Sequence, residues 1–174
     1  MISVAPQRDY AALIERARAI AADDPSRQAR MTGFVDACWS AFGAPHQAGG
    51  VSWIGFYLKT PGQDEMILGP RRDKPACSPI GMHGMCGRGW IERRGIVVED
   101  VRRLGAGYIA CDPKDLSELV VPCFEQDGSC WGVLDADSYS LGAFSAADAI
   151  GLSQALQAAG LSHPFPDMPG VLFM

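Results

Sequence analysis

Two apolar runs, SELVVPCFE (117–125) and CWGVLDADS (130–138), flank a short polar stretch containing Asp127-Gly128. Apolar, β-branched residues on either side of Asp-Gly predict an antiparallel hairpin, because that dipeptide accepts the positive φ a tight turn needs. No other feature limits the fold as much, since it sets a sheet, a pairing sense and a register together. A two-residue loop would place Gln126 opposite Ser129, Glu118 opposite Asp137 and Val120 opposite Asp135. Side chains alternate along a strand, so Glu118, Asp135 and Asp137 share one face. Like charges facing each other destabilise a sheet unless a positive group sits between them or water surrounds them. Four readings stay open at this point: a bound ammonium, a bound divalent metal, a partner Lys or Arg, or three solvated strand ends. Pro122 marks a place where a bulge would slip this register.

The remaining chain supplies what packs on the hairpin. Tyr10, Leu13, Ile14, Ala17 and Ile20 fall on one helical face and predict a helix over 8–22. Asp24 followed by Pro25 predicts an N-cap and first turn of a second helix. Its apolar stripe, Met31, Phe34, Val35, Cys38 and Phe42, runs to about residue 42. VSWIGFYLK (51–59) reads as a strand and 65–69 as a shorter one. A Pro/Gly/basic loop over 70–84 leads to a short helix at 85–94, a strand at 96–100 and an irregular stretch to Ser117. Ser145, with Asp148 three residues on, predicts a capped final helix to about 160. Helices at both ends of a set of strands predict an α+β domain with a central, mainly antiparallel sheet. It would span 1–160, with 161–174 as an irregular Pro-rich tail.

Composition bears on partners. The 174 residues suffice for one domain with its own core. A 48% hydrophobic, 20% charged chain is not of the disordered or collagen-like class. A net charge of −5 without a Lys/Arg run points to neither a nucleic acid nor an anionic membrane partner. The uncharged stretches 37–58 and 149–166 contain Pro, Gly, His and Gln, so neither reads as a membrane span. MISVAPQRDY lacks the apolar run of a secretory leader, and the expected location is the cytoplasm, where thiols stay reduced.

In that setting six cysteines stand out. Cys38 lies on the stripe of the second helix, and Cys123 and Cys130 fall on the hairpin face opposite the carboxylates. All three read as small core hydrophobes. Cys77, Cys86 and Cys111 lie in segments without periodicity, beside Gly or Pro, where a thiol is more accessible. Three readings compete for them. His83-x-x-Cys86 with Cys77 and Cys111 could form a Cys₃His zinc site, although no C-x-x-C knuckle supports it. The thiols could be inert, or one could be a redox nucleophile that the others resolve as a disulfide. Spacing alone leaves the last two level.

WIGFYL (53–58), LGPRRDKPAC (68–77), MCG (85–87), VVEDV (97–101), YIACD (108–112), SELVVP (117–122) and GVLDADS (132–138) together resemble the free methionine-(R)-sulfoxide reductases. These are single-domain enzymes of the GAF fold. The resemblance implies that Cys111 attacks the sulfoxide sulfur and that Cys77 and Cys86 resolve the resulting sulfenic acid as a disulfide. It implies that Glu118, Asp135 and Asp137 hold the amino group of free methionine sulfoxide, and that Trp53 and Tyr57 pack around its methyl-sulfoxide end. A free amino acid supplies the ammonium that the facing carboxylates ask for; a methionine within a polypeptide does not. The resemblance further implies no metal or organic cofactor, an external dithiol such as thioredoxin as reductant, and a homodimer. This chain departs from the family pattern in a 77–86 loop one residue shorter, a 102–108 segment one longer, and Tyr108 where a His is usual. The alternative is a non-catalytic GAF module binding a small ligand for signalling. Three loop cysteines together with three carboxylates favour the enzyme, since a binding module needs no resolving thiols.

Overall fold

The computed structural model describes residues 5–105, 108, 110–164 and 170–174. Its helices are α1 (Tyr10–Asp23), α2 (Arg27–Phe42), α3 (Met85–Glu92) and α4 (Ala146–Ala158). Its strands are β1 (Trp53–Lys59), β2 (Glu65–Arg72), β3 (Ile80–Gly81), β4 (Ile96–Val98), β5 (Ser117–Phe124), β6 (Cys130–Ser138) and β7 (Leu172–Phe173). They form a single sheet in the order β3-β2-β1-β6-β5-β4-β7, antiparallel except for the β4–β7 pair.

The hairpin reaches its expected register by two departures that cancel. Its loop has three residues: the Glu125 N–H bonds the Ser129 carbonyl at 2.8 Å, and Gly128 turns the chain at φ 81°. That loop alone would slip the pairing by one. Phe124 pairs with Cys130 but Cys123 pairs with Gly132, so Trp131 is an extra residue on β6 and restores the count. Glu118 then faces Asp137 and Val120 faces Asp135, as the Asp-Gly signal predicts. Pro122 pairs in register with Val133, so the bulge lies one turn of the ladder away from it.

α2 and α4 cover one face of the sheet, and α1 packs against both of them. Leu13 of α1, Phe34 of α2 and Leu156 of α4 share one buried core with Phe56, Leu119 and Leu134 from the strands. Full burial of such a side chain contributes about 1.5–3 kcal/mol. The α2 start differs from the Asp24-Pro25 expectation. Ser26 is the cap, accepting the Ala29 N–H at 3.2 Å, while Asp24 closes the preceding turn by accepting the Ser26 N–H at 2.7 Å. The α4 start carries the expected reciprocal Ser145–Asp148 box. Asp148 also accepts from Arg8 Nη1 at 3.0 Å and Tyr10 O–H at 2.8 Å, which ties the N-terminal segment to this helix.

The opposite face carries a second apolar cluster, with Ile96, Val120 and Val133 beneath α3 and its flanking loops. Here β2 runs to Arg72, and β3 lies within the expected 70–84 loop. The tail is not wholly irregular: Leu172–Phe173 adds to the free edge of β4, pairing Ile96 with Leu172. Residues 165–169 lie outside the described residues. No helix among the described residues is long and apolar enough to cross a membrane.

Candidate functional site

A cavity of about 400 Å³ opens on the second face, and all eight expected site residues line it. Register explains why. Trp53, Asp137 and Glu118 form one row across β1, β6 and β5, and Asp135 stands in the next row beside Gly55. A Cβ at Gly55 would lie 2.5 Å from the Trp53 ring, so the glycine makes room for the indole. Trp53 and Tyr57 share the strand face, with ring centroids 6.1 Å apart.

Both aromatic side chains also hold a loop. The Trp53 indole N–H donates to the Lys74 carbonyl at 2.9 Å, and the Tyr57 hydroxyl donates to the Cys77 carbonyl at 2.9 Å. The Lys74 ammonium pairs with Asp112 and donates to the Tyr139 oxygen at 2.5 Å, and the Tyr139 hydroxyl donates to Asp112 Oδ2 at 2.8 Å. Partial burial would raise the Asp112 carboxyl, but these contacts and the Lys114 N–H hold it down to about 2. The segment bearing Cys77 is thereby fastened to the segment bearing Cys111. The two thiols are exposed at the cavity mouth and lie against each other; burial, then that contact, push Cys111 up to about 12.

The floor of the cavity is acidic. Glu118 and Asp135 are only 4% and 6% exposed. Burial pushes Glu118 up to about 7, against the Tyr108 hydroxyl, which donates to its Oε2 at 2.8 Å and favours the charged form. Asp135 and Asp137 are raised well above ordinary carboxylates, first by burial and then by neighbouring carboxyl charge. Asp135 Oδ1 is buried without a hydrogen-bond partner among the described residues. The site therefore offers a floor of carboxyl groups that hold protons near neutrality and become negative as a cation binds them, with paired thiols at the rim.

Several expectations need correction. Cys86 is not an accessible loop thiol: it sits in the first turn of α3 against Asp135 and is buried, and burial first, then the neighbouring Asp135 charge, pushes its thiol well above the ordinary range. The Cys₃His grouping does not assemble. Among the described residues the close metal-capable group is Cys86, Glu118 and Asp135. Cys130 is only half-buried, because the bulge at Trp131 interrupts strand alternation beside it, whereas Cys38 and Cys123 are core as expected. Sequence reading also missed another buried carboxyl of the site. Asp115, raised to about 6 chiefly by burial, accepts from Ser52 Oγ at 3.0 Å; it lies in a stretch with no periodicity to reveal it. Lys74 and Asp112 sit inside the KPAC and YIACD motifs, but nothing in their spacing connects them to Tyr139.

No family model matches the chain. A solved GAF domain superposes with a TM-score of 0.74 at 24% identity, covering 93% of this chain and 94% of that one, so the fold is a GAF fold. Free methionine-R-sulfoxide reductase of Neisseria meningitidis, solved in complex with its substrate, has a TM-score of 0.77 and 32% identity over 91% of this chain and 93% of that chain. Free methionine-R-sulfoxide reductase of Escherichia coli is 39% identical over 60% of this chain. The match spans 61% of that relative's length. The chain belongs to the free methionine-R-sulfoxide reductase family.

Proposed function

We propose that the protein reduces free L-methionine (R)-sulfoxide to methionine by thiol chemistry. The observation that carries this is the cavity that sets two contacting, exposed thiols above a carboxyl cluster in which Asp135 Oδ1 is buried with no partner among the described residues. The substrate ammonium would occupy the space among Glu118, Asp135 and Asp137, and its methyl-sulfoxide end would lie against Trp53 and Tyr57. Cys111, a thiol at neutral pH, gives up its proton as its sulfur attacks the sulfoxide sulfur and a carboxyl group protonates the oxygen, so no net proton is consumed. Glu118, pushed up to about 7, keeps its proton in roughly half of the molecules at neutral pH and suits that role.

Oxygen passes to Cys111: the sulfoxide is reduced to a thioether and the cysteine is oxidised to a sulfenic acid. Condensation with the Cys77 thiol forms a disulfide and releases water, and a dithiol such as thioredoxin reduces that disulfide and becomes oxidised itself. Contact with Cys111 favours Cys77 as the direct partner; Cys86, facing Asp135, is the more remote thiol. This reading includes a cytoplasmic homodimer that needs no organic cofactor.

The test is methionine release from free methionine (R)-sulfoxide with dithiothreitol or thioredoxin. Cys111→Ser abolishes it, and a peptide-bound sulfoxide is a poor substrate because its nitrogen carries no charge. Activity that survives Cys111→Ser overturns the mechanism.

A further inference from the structure

We propose that Cys86, Glu118 and Asp135 form a binding site for one borderline divalent cation of the Zn²⁺ type, which excludes the substrate ammonium from the same carboxylates. The sulfur of Cys86 and one oxygen from each acid lie within 4.8 Å of one another, and all three residues are buried. Two donors bound to one tetrahedral zinc at about 2.0–2.3 Å end up roughly 3.5 Å apart, so small rotations of three side chains close the shell. The donors stand on α3, β5 and β6 rather than on loops, which limits how far each can stray.

A second, independent feature points to a cation. Asp135 Oδ1 is an acceptor buried against the cavity without any donor among the described residues. The Lys74 ammonium, which also lines the cavity, is engaged by Asp112 and Tyr139. An ammonium could satisfy the two acids but has no use for the Cys86 sulfur. A thiolate with two carboxylates is instead a donor set for zinc, not for magnesium, which takes oxygen ligands in an octahedron. Asp137 and water remain to complete the coordination. Binding displaces into solvent the thiol proton of Cys86 and the protons that Glu118 and Asp135 hold near neutrality, and no electron transfer is involved.

The exclusion of substrate rests on the function proposed above, whereas metal binding stands without it. The test is titration of the reduced, full-length protein with Co²⁺ and Zn²⁺ in chelator-free buffer. One equivalent is expected to bind, with the near-ultraviolet sulfur-to-cobalt charge-transfer band that marks thiolate ligation. Cys86→Ser removes the band and weakens Zn²⁺ about tenfold or more, Glu118→Gln weakens it comparably, and Cys77→Ser/Cys111→Ser leaves both intact. A band that survives Cys86→Ser and vanishes in the double variant puts the metal at the rim thiols and overturns the proposal. Free methionine should raise the apparent Kd for Zn²⁺; an unchanged Kd overturns the shared site. Methionine release measured without added metal reports on the reductase reading separately.

Discussion

Replacing Glu118 by Gln is expected to stabilise the protein at neutral pH while damaging its site. Gln keeps the length of the side chain and an oxygen that can accept from the Tyr108 hydroxyl, so packing changes little. What changes is the cost of ionisation. In the unfolded chain the carboxyl titrates near 4.5, and in the folded cavity near 7, chiefly because it is buried. Below 4.5 both forms are protonated and the residue contributes no pH dependence. Between 4.5 and about 7 the unfolded chain releases its proton first, and wild-type stability falls. The accumulated cost is about 3 kcal/mol, from some 2.5 pH units at 1.36 kcal/mol each. Gln does not titrate and escapes it, which corresponds to roughly 6–12 °C in Tm for a domain of this size. The assay is urea denaturation of both proteins at pH 4.5, 6 and 8. The variant's advantage should grow with pH across that window and level off above 7. An advantage that is independent of pH, or that shrinks as pH rises, refutes the reasoning.

Three further outcomes follow from the contacts described. Tyr139→Phe removes the hydroxyl that links Lys74 and Asp112, and is expected to slow Cys77–Cys111 disulfide formation about tenfold, the equivalent of one hydrogen bond to a charged group; trapping of the Cys111 sulfenic acid with dimedone would then increase. Arg8→Met leaves Asp148 buried without its cation and should cost about 3–5 kcal/mol in urea denaturation, since both side chains are almost fully buried in the wild type. Gly87→Ala would bring a Cβ to 2.1 Å from the Met82 carbonyl oxygen, so α3 must shift. Native-state reaction of Cys86 with a thiol reagent, slow in the wild type because the residue is buried, should accelerate.

The parts of the site that regular structure positions are legible in the sequence. Parity along β5 and β6 placed Glu118, Asp135 and Asp137 on one face, and parity along β1 added Trp53 and Tyr57 to a shared face. The register survived although the loop was one residue longer than Asp127-Gly128 suggests, because Trp131 compensates; local turn chemistry cannot announce a bulge four residues away. What stayed hidden depends on contacts between segments without periodicity. Asp115 meets Ser52 across 63 positions, and Lys74 meets Tyr139 across 65. Cys86 was misjudged for a related reason. Its neighbours in MCGRG suggest an open loop, but the α3 turn that contains them folds onto the sheet, and tertiary packing decides the exposure of the thiol. Likewise, residues 172–173 carry too few side chains to signal a strand, and the open edge of β4 recruits them.

Trp53 and Tyr57 of β1 carry one more consequence. Their rings form a wall of the cavity while their N–H and O–H groups hold the backbone at Lys74 and Cys77. Wall and hinge are thus one component. Any change to Trp53 or Tyr57 that widens the cavity for a bulkier guest also loosens the strap that presents Cys77. Which molecules the cavity admits and how quickly its thiols can be rejoined are therefore not separate design variables: an engineer, or natural selection, must adjust them together.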